Sequence, residues 1–177
     1  MPPRTSEQPK PADLVSALRL PGSVLQGILA RAALAFLRIY LGVLFLLASG
    51  PKLRGDFAAS LSEFVQQVAL TKGHRFYGDF LQHVVLPNLD LFARLVPWGE
   101  LLVGVTLVLG LATRLSATVA LALLVNYMLA KGAWFWYPSS NDAALAAVAI
   151  ALVIGAAGRT LGLDAILARR WPRSPFW

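Results

Sequence analysis

Four apolar stretches constrain this chain of 177 residues more than any other feature. Residues 32–49 (AALAFLRIYLGVLFLLAS) carry one charge, Arg38, and run into Gly50-Pro51, where proline ends helical hydrogen bonding. Residues 89–111 hold Pro97, Trp98 and Glu100, residues 115–136 hold Asn126, and residues 143–158 hold no charge before Gly158. A helix needs about 20 mostly apolar residues to cross about 30 Å of hydrocarbon, and each stretch approaches that length. Between the second and third, Gly110 to Arg114 leave room only for a tight turn, so these two run antiparallel as neighbours. Composition agrees: 57% of residues are hydrophobic and 14% charged, against about 45–50% and about 25% in soluble domains. The expected fold is all-α, a four-helix transmembrane bundle.

The outer segment between the first and second spans, residues 52–88, is too long for a turn. Phe57, Leu61, Phe64, Val65 and Val68 recur at helical spacing with Glu63, Gln66 and Gln67 opposite. A second short helix over residues 76–86 places Phe76, Phe80 and Val84 on one face, before Pro87 and Asn88 break it. These amphipathic helices form a lid over the bundle or a docking face. The chain divides into an N-terminal arm (1–27), a membrane domain (28–164) and a basic, aromatic tail (165–177). The arm has Pro2, Pro3, Pro9, Pro11 and Pro21 and no apolar core of a cleavable signal, so it is expected to stay in the cytoplasm.

A net charge of +7 from 16 Lys+Arg and 9 Asp+Glu would suggest nucleic acid in a soluble protein, but here it reports topology. Arg4, Lys10, Arg19, Arg31, Arg38, Arg114, Arg159, Arg169, Arg170 and Arg173 lie on the side of the termini; Lys52, Arg54, Lys72, Arg75, Arg94 and Lys131 lie opposite. The positive-inside rule therefore puts both termini in the cytoplasm, with Trp98, Trp134, Trp136 and Tyr137 at the outer interface. Trp134, Trp136, Tyr137 and Trp171 are the expected interface anchors. Cations and aromatics in the tail suit anionic headgroups or a partner surface. The bilayer is one partner and further membrane subunits, touching arm, outer helices and tail, are the others; nucleic acid is not.

Zero cysteines remove thiol chemistry and Cys-type metal sites, and His74 and His83 are thin material for a metal, so no metal site is expected. Asp79 and His83 read as a hydrogen-bonded surface pair. Intramembrane charges cost about 2.5–3.5 kcal/mol each at a helix centre, so each needs a partner or a function. Arg38, Gly42, Phe45, Ser49 and Lys52 fall on one stripe of the first helix, a cation at either end. Glu100 has Gly104 one turn on, where a small residue lets another helix approach. The carboxylate can pair with Arg38 or Lys52, bind a proton, or serve a quinone or other polar head; a structural ion pair and a functional role both remain open. Asn126 reads as an interhelical hydrogen-bond donor. Arg38, Lys52, Trp98, Glu100 and Asn126 are thus the candidates for the polar core or a quinone site.

These residues resemble the DoxX family, which includes the DoxD subunit of archaeal thiosulfate:quinone oxidoreductase. Arg38-Ile39-Tyr40-Leu41-Gly42-Val43-Leu44-Phe45 with Gly50-Pro51-Lys52-Leu53 is similar to its opening motif. Glu100-Leu101-Leu102-Val103-Gly104 with Leu109-Gly110-Leu111-Ala112-Thr113-Arg114 is similar to its glutamate-bearing second helix and following turn. Gly158-Arg159-Thr160-Leu161-Gly162-Leu163-Asp164 is similar to its closing motif, with Gly162 where serine is common.

The resemblance implies a four-helix membrane bundle in a bacterial or archaeal cytoplasmic membrane, associated with quinone-linked redox chemistry. The absence of cysteine separates the chain from four-helix disulfide oxidases. It carries no haem pair, flavin motif or nucleotide loop, so a cofactor or partner subunit must carry any electrons. No cofactor is expected within the chain, beyond a quinone it can bind. Two functions stand nearly level: a membrane subunit of a quinone-linked oxidoreductase, not self-sufficient in catalysis, and a non-catalytic accessory subunit of a larger respiratory or photosynthetic complex. A solute carrier ranks third, lacking the paired broken helices of inverted-repeat transporters. Topology is checked with reporter fusions: one at Trp177 should report inside and one at Ser140 outside, and the reverse would refute the assignment.

Overall fold

The computed structural model describes residues 22–136, 140–155, 157–159 and 162–171. Most of the N-terminal arm, Tyr137 and the tail beyond Trp171 lie outside the described residues. Among the described residues the regular structure is entirely helical. Helix α1 spans Gly22–Arg54, α2 Phe57–Phe64, α3 Arg75–Phe80, α4 Leu89–Leu109, α5 Thr113–Lys131, α6 Asn141–Gly155 and α7 Asp164–Arg170. Three helical stretches are long and apolar enough to cross a membrane: Gly22–Arg54, Arg75–Leu109 and Thr113–Lys131. The apolar α6, with 15 residues, extends about 22 Å at about 1.5 Å per residue.

Helices α1, α4, α5 and α6 close a ring in which α1 packs on α4 and α6, and α5 on the same two. The core between them holds Leu41, Phe45, Val103, Leu107, Leu124 and Leu152, with Ala117, Ala120, Ala146 and Ala149 keeping α5 and α6 close. Phe36, Leu47, Leu95, Leu102, Val119 and Ile154 are exposed around the outside. Helices apolar on both faces suit a core on one side and hydrocarbon on the other. The α1–α4 crossing depends on two glycines. A Cβ at Gly104 would stand 2.8 Å from Leu46 side-chain carbons and 2.9 Å from the Gly42 carbonyl oxygen; one at Gly42 would stand 3.0 Å from the Gly104 oxygen. The expected close approach at Gly104 is therefore made against Gly42, on the predicted stripe.

Three expectations need correction. Helix α1 does not stop at Gly50-Pro51 but continues to Arg54 with Pro51 inside it. Proline there removes one main-chain donor, that to the Leu47 carbonyl, but the helix runs on past it and keeps Lys52 on the stripe. The second outer helix also turns a different face inward. Phe76 is 67% exposed and Phe80 and Val84 are also exposed, whereas Tyr77, Leu81 and Val85 are buried. Both triplets have a spacing of four, so periodicity alone could not choose between them.

Nor do Pro87 and Asn88 end the helical path; Leu86–Asn88 forms a tight 3-10 turn that leads into α4. Each outer helix also widens by one residue per turn. Leu70 N–H donates to the Val65 carbonyl, and Leu86 N–H to the Leu81 carbonyl, the five-residue spacing of a π turn. Val65, Ala69, Tyr77, Leu81 and Val85 meet Ala130 of α5 in a second apolar cluster beneath this cover.

Replacing Gly104 by Ala should lower unfolding free energy by about 1–3 kcal/mol through overpacking. Gly99→Ala is the control, because its added carbon meets nothing within 4 Å; unfolding in detergent micelles compares them, and equal stability would refute the role of the crossing.

Candidate functional site

The buried stripe of α4, Pro97, Glu100, Val103, Gly104 and Leu107, faces the bundle. Glu100 on that stripe is 1% exposed. Its Oε1 accepts from Lys52 Nζ at 2.5 Å and from the Tyr127 hydroxyl at 2.6 Å. Three helices thus meet at one carboxylate oxygen: α1, α4 and α5. Glu100 Oε2 is buried with no hydrogen-bond partner among the described residues. The Lys52 side chain is 25% exposed, and its ammonium lies 5.4 Å from the ring centroids of both Phe57 and Tyr127. Rings at that distance favour a cation without using its N–H donors. An ammonium has three donors and Glu100 takes one.

Beside this cluster lies a cavity of about 350 Å³, within the usual size range of small-ligand sites. Its floor is Lys52, Asn126 and Tyr127; its cover is Phe57, Leu61, Phe64, Val65, Tyr77, Leu81 and Val85, and Phe92 and Val96 of α4 close another side. Both widened turns contribute to it through Val65, Leu81 and Val85. The surroundings are mostly apolar and aromatic, with polar groups at Lys52, Ser60, Tyr77, Asn126, Tyr127 and Lys131. A larger, open hollow near Lys72, Lys131 and Asp142 is polar, and Lys131 and Asp142 pair there at 2.7 Å.

Arg38 occupies a different polar region from Glu100. It precedes Lys52 by 14 positions in one helix, about 21 Å along the axis at about 1.5 Å per residue, so one carboxylate cannot serve both. Arg38 is fully buried, and its guanidinium fills the room left by side-chain-free Gly110 and Gly162, where a Cβ would collide with Nη1. The charge of Asp164 acts on it. Asp164 Oδ1 accepts from Ala112 N–H at 2.6 Å and Oδ2 from Thr113 N–H at 2.8 Å. This carboxylate caps α5 from 51 positions away, holding a turn in which Ala112 takes φ 46°. Such a left-handed backbone costs a non-glycine residue roughly 1–2 kcal/mol.

The other candidates fall outside the buried cluster. Trp98 is 61% exposed and belongs to neither polar region. Asn126 lies on the cavity wall without tying helices together: its side chain is exposed and makes no hydrogen bond among the described residues. Trp134, Trp136 and Trp171 are exposed; the Trp134 ring packs edge-on against His74 at 4.6 Å. His83 Nδ1 bonds the Asp79 main-chain carbonyl at 2.9 Å rather than its carboxylate. Among the described residues no three His, Asp or Glu side chains come together as a metal site would require.

Sequence reasoning missed Tyr127 and Tyr77 as parts of the site. A signal existed for Tyr127, because helical side chains lean toward the N-terminus. From α5 a long tyrosine leans back along the hairpin toward the level of Glu100.

The DoxX family model matches residues 33–133, more than half of the chain. The chain belongs to the DoxX family. No curated protein and no solved structure matches it. The matched segment of this DoxX protein contains Arg38, Lys52, Glu100 and Tyr127, and its long apolar helices make it an integral membrane protein. Asp164 and α7 lie beyond the matched segment.

Changing one member of the Lys52–Glu100 pair leaves the other without its counter-charge. Glu100→Gln should cost about 3 kcal/mol, the low end for a buried pair because Lys52 is partly exposed; adding Lys52→Met should restore much of the loss. A double-mutant cycle of unfolding in detergent measures the coupling, and strictly additive losses would show that the pair does not hold the helices together.

Proposed function

We propose that this DoxX protein is a four-crossing membrane subunit of a quinone-linked oxidoreductase, with both termini in the cytoplasm and α6 as the short fourth crossing. The observation that carries the reading is that Lys52 and Tyr127, both hydrogen-bonded to the buried Glu100 behind them, stand in the wall of the aromatic cavity. A quinone needs apolar surroundings for its ring and tail and hydrogen-bond donors for its carbonyls. The ring of phenylalanines suits the first and the remaining Lys52 donors the second. When bound, a quinone supplies two-electron, two-proton acceptor chemistry.

Within the chain, Lys52 orients a carbonyl and Glu100 holds the ammonium in place from behind. Electrons come from a partner subunit, since the chain's own residues supply no redox carrier. The second reading, an accessory subunit, draws on the exposed outer aromatics Phe76, Trp134 and Trp136, which offer a docking patch.

The full chain, purified in detergent, is titrated with decyl-1,4-benzoquinone by calorimetry against empty micelles. Saturable binding is expected, with at least about tenfold loss in a Leu61→Trp variant that fills the cavity. The chain alone should not reduce the quinone with thiosulfate. Unaided turnover would overturn the dependence on a partner, and absence of binding, with the chain firmly attached to a larger complex, would favour the accessory reading.

A further inference from the structure

The hydroxyl of Tyr77 has no role in the cluster described above. Tyr77 is 9% exposed, its oxygen is buried with no hydrogen-bond partner among the described residues, and its side chain lines the cavity. A buried hydroxyl left without a partner is costly, and native structures leave few such groups unless a ligand or water meets them. The apolar cover places no acceptor on this one. Phe80 packs against the Tyr77 ring at 5.3 Å between centroids, and Leu81 and Val85, from the widened turn, are buried in the same cluster.

Of the groups lining the cavity that can donate, Ser60, Tyr127 and Lys131 are engaged with Asp56, Glu100 and Asp142, and Asn126 is exposed, which leaves Lys52 and Tyr77 as two separate donors. Lys52 stands on α1 in the bundle wall, and Tyr77 stands on α3 in the cover. Glu100 neutralises the Lys52 charge, so the site as a whole does not call for an anion. Between the two donors the walls are aromatic, which suits a flat ring.

Resting on the proposed function, we infer that Tyr77 is a specificity-determining residue whose hydroxyl meets a second acceptor, so that the cavity selects neutral flat rings carrying hydrogen-bond acceptors at two edges over rings carrying one. Lys52 meets the first acceptor and Tyr77 the second. Binding then draws the cover onto the bundle through the ligand itself. Selectivity arises because a one-acceptor ring leaves a buried donor unmatched, and sites built to hydrogen-bond a group discriminate strongly against analogues without it.

Three probes with matched ten-carbon tails test this on the full chain in detergent by isothermal titration, with empty micelles subtracted: decyl-1,4-benzoquinone with two carbonyls, decanophenone with one and decylbenzene with none. The parent chain should bind the quinone at least about tenfold more tightly than decanophenone. Tyr77→Phe removes one oxygen and keeps the ring; it should weaken quinone binding about fivefold and leave decanophenone unchanged. Equal binding of quinone and decanophenone by the parent would overturn the inference without any variant. Tyr77→Phe weakening both probes alike would also overturn it, as a merely structural effect, and so would a variant that binds the quinone like the parent. In those three outcomes a bound quinone leaves the proposed function standing. Failure of the parent to bind any carbonyl probe, or binding of decylbenzene as tightly as the quinone, would overturn both.

Discussion

A carboxylate enclosed by apolar helices must find a counter-charge and hydrogen-bond donors, and Glu100 finds both by drawing Lys52 from α1 and Tyr127 from α5 to one oxygen. Desolvating such a pair consumes much of its Coulombic gain. Its value lies in register: a slide of α1 or α5 along α4 would separate the partners. The Gly42–Gly104 crossing acts with it, because two helices without side chains at their contact can approach closely enough to keep the pair short.

A second polar region, formed by Arg38 and Asp164 with the turn after α4, organises the other end of the bundle. Gly110 takes φ 66° at the end of α4, where Leu111 N–H returns to the Thr106 carbonyl at 2.9 Å, a Schellman-type closure. Asp164 then caps α5 by satisfying two N–H groups at its start. Its own N–H donates to the Gly110 carbonyl at 2.8 Å, which ties the closing segment to the turn. The two polar regions divide the work: one fixes the hairpin turn, and the other stands beside a cavity.

The cover gives that cavity its chemistry. Two widened turns, at Val65–Ala69 and Leu81–Val85, lie in the short helices that roof it, and such turns are common at functional sites. A wide turn re-aims the side chains around it, which here brings Val65, Leu81 and Val85 inward. The result is an aromatic chamber with Lys52 on one wall and Tyr77 on another.

The sequence by itself determined that the chain is helical, apolar and membrane-bound, because long apolar runs and a low charge content leave few other solutions. It also determined the buried stripe of α1 and the need of Glu100 for a partner, since helical periodicity and the cost of a buried charge both act locally. Only the tertiary structure decided that Lys52 meets Glu100 while Arg38 joins the Asp164 region. The stripe carries a cation at each end, and the choice depends on how far α1 slides along α4. Tertiary packing likewise turned Tyr77, Leu81 and Val85 inward rather than Phe76, Phe80 and Val84. Two apolar stripes of equal spacing compete there, and the fit against Ala130 and α2 settles what periodicity cannot.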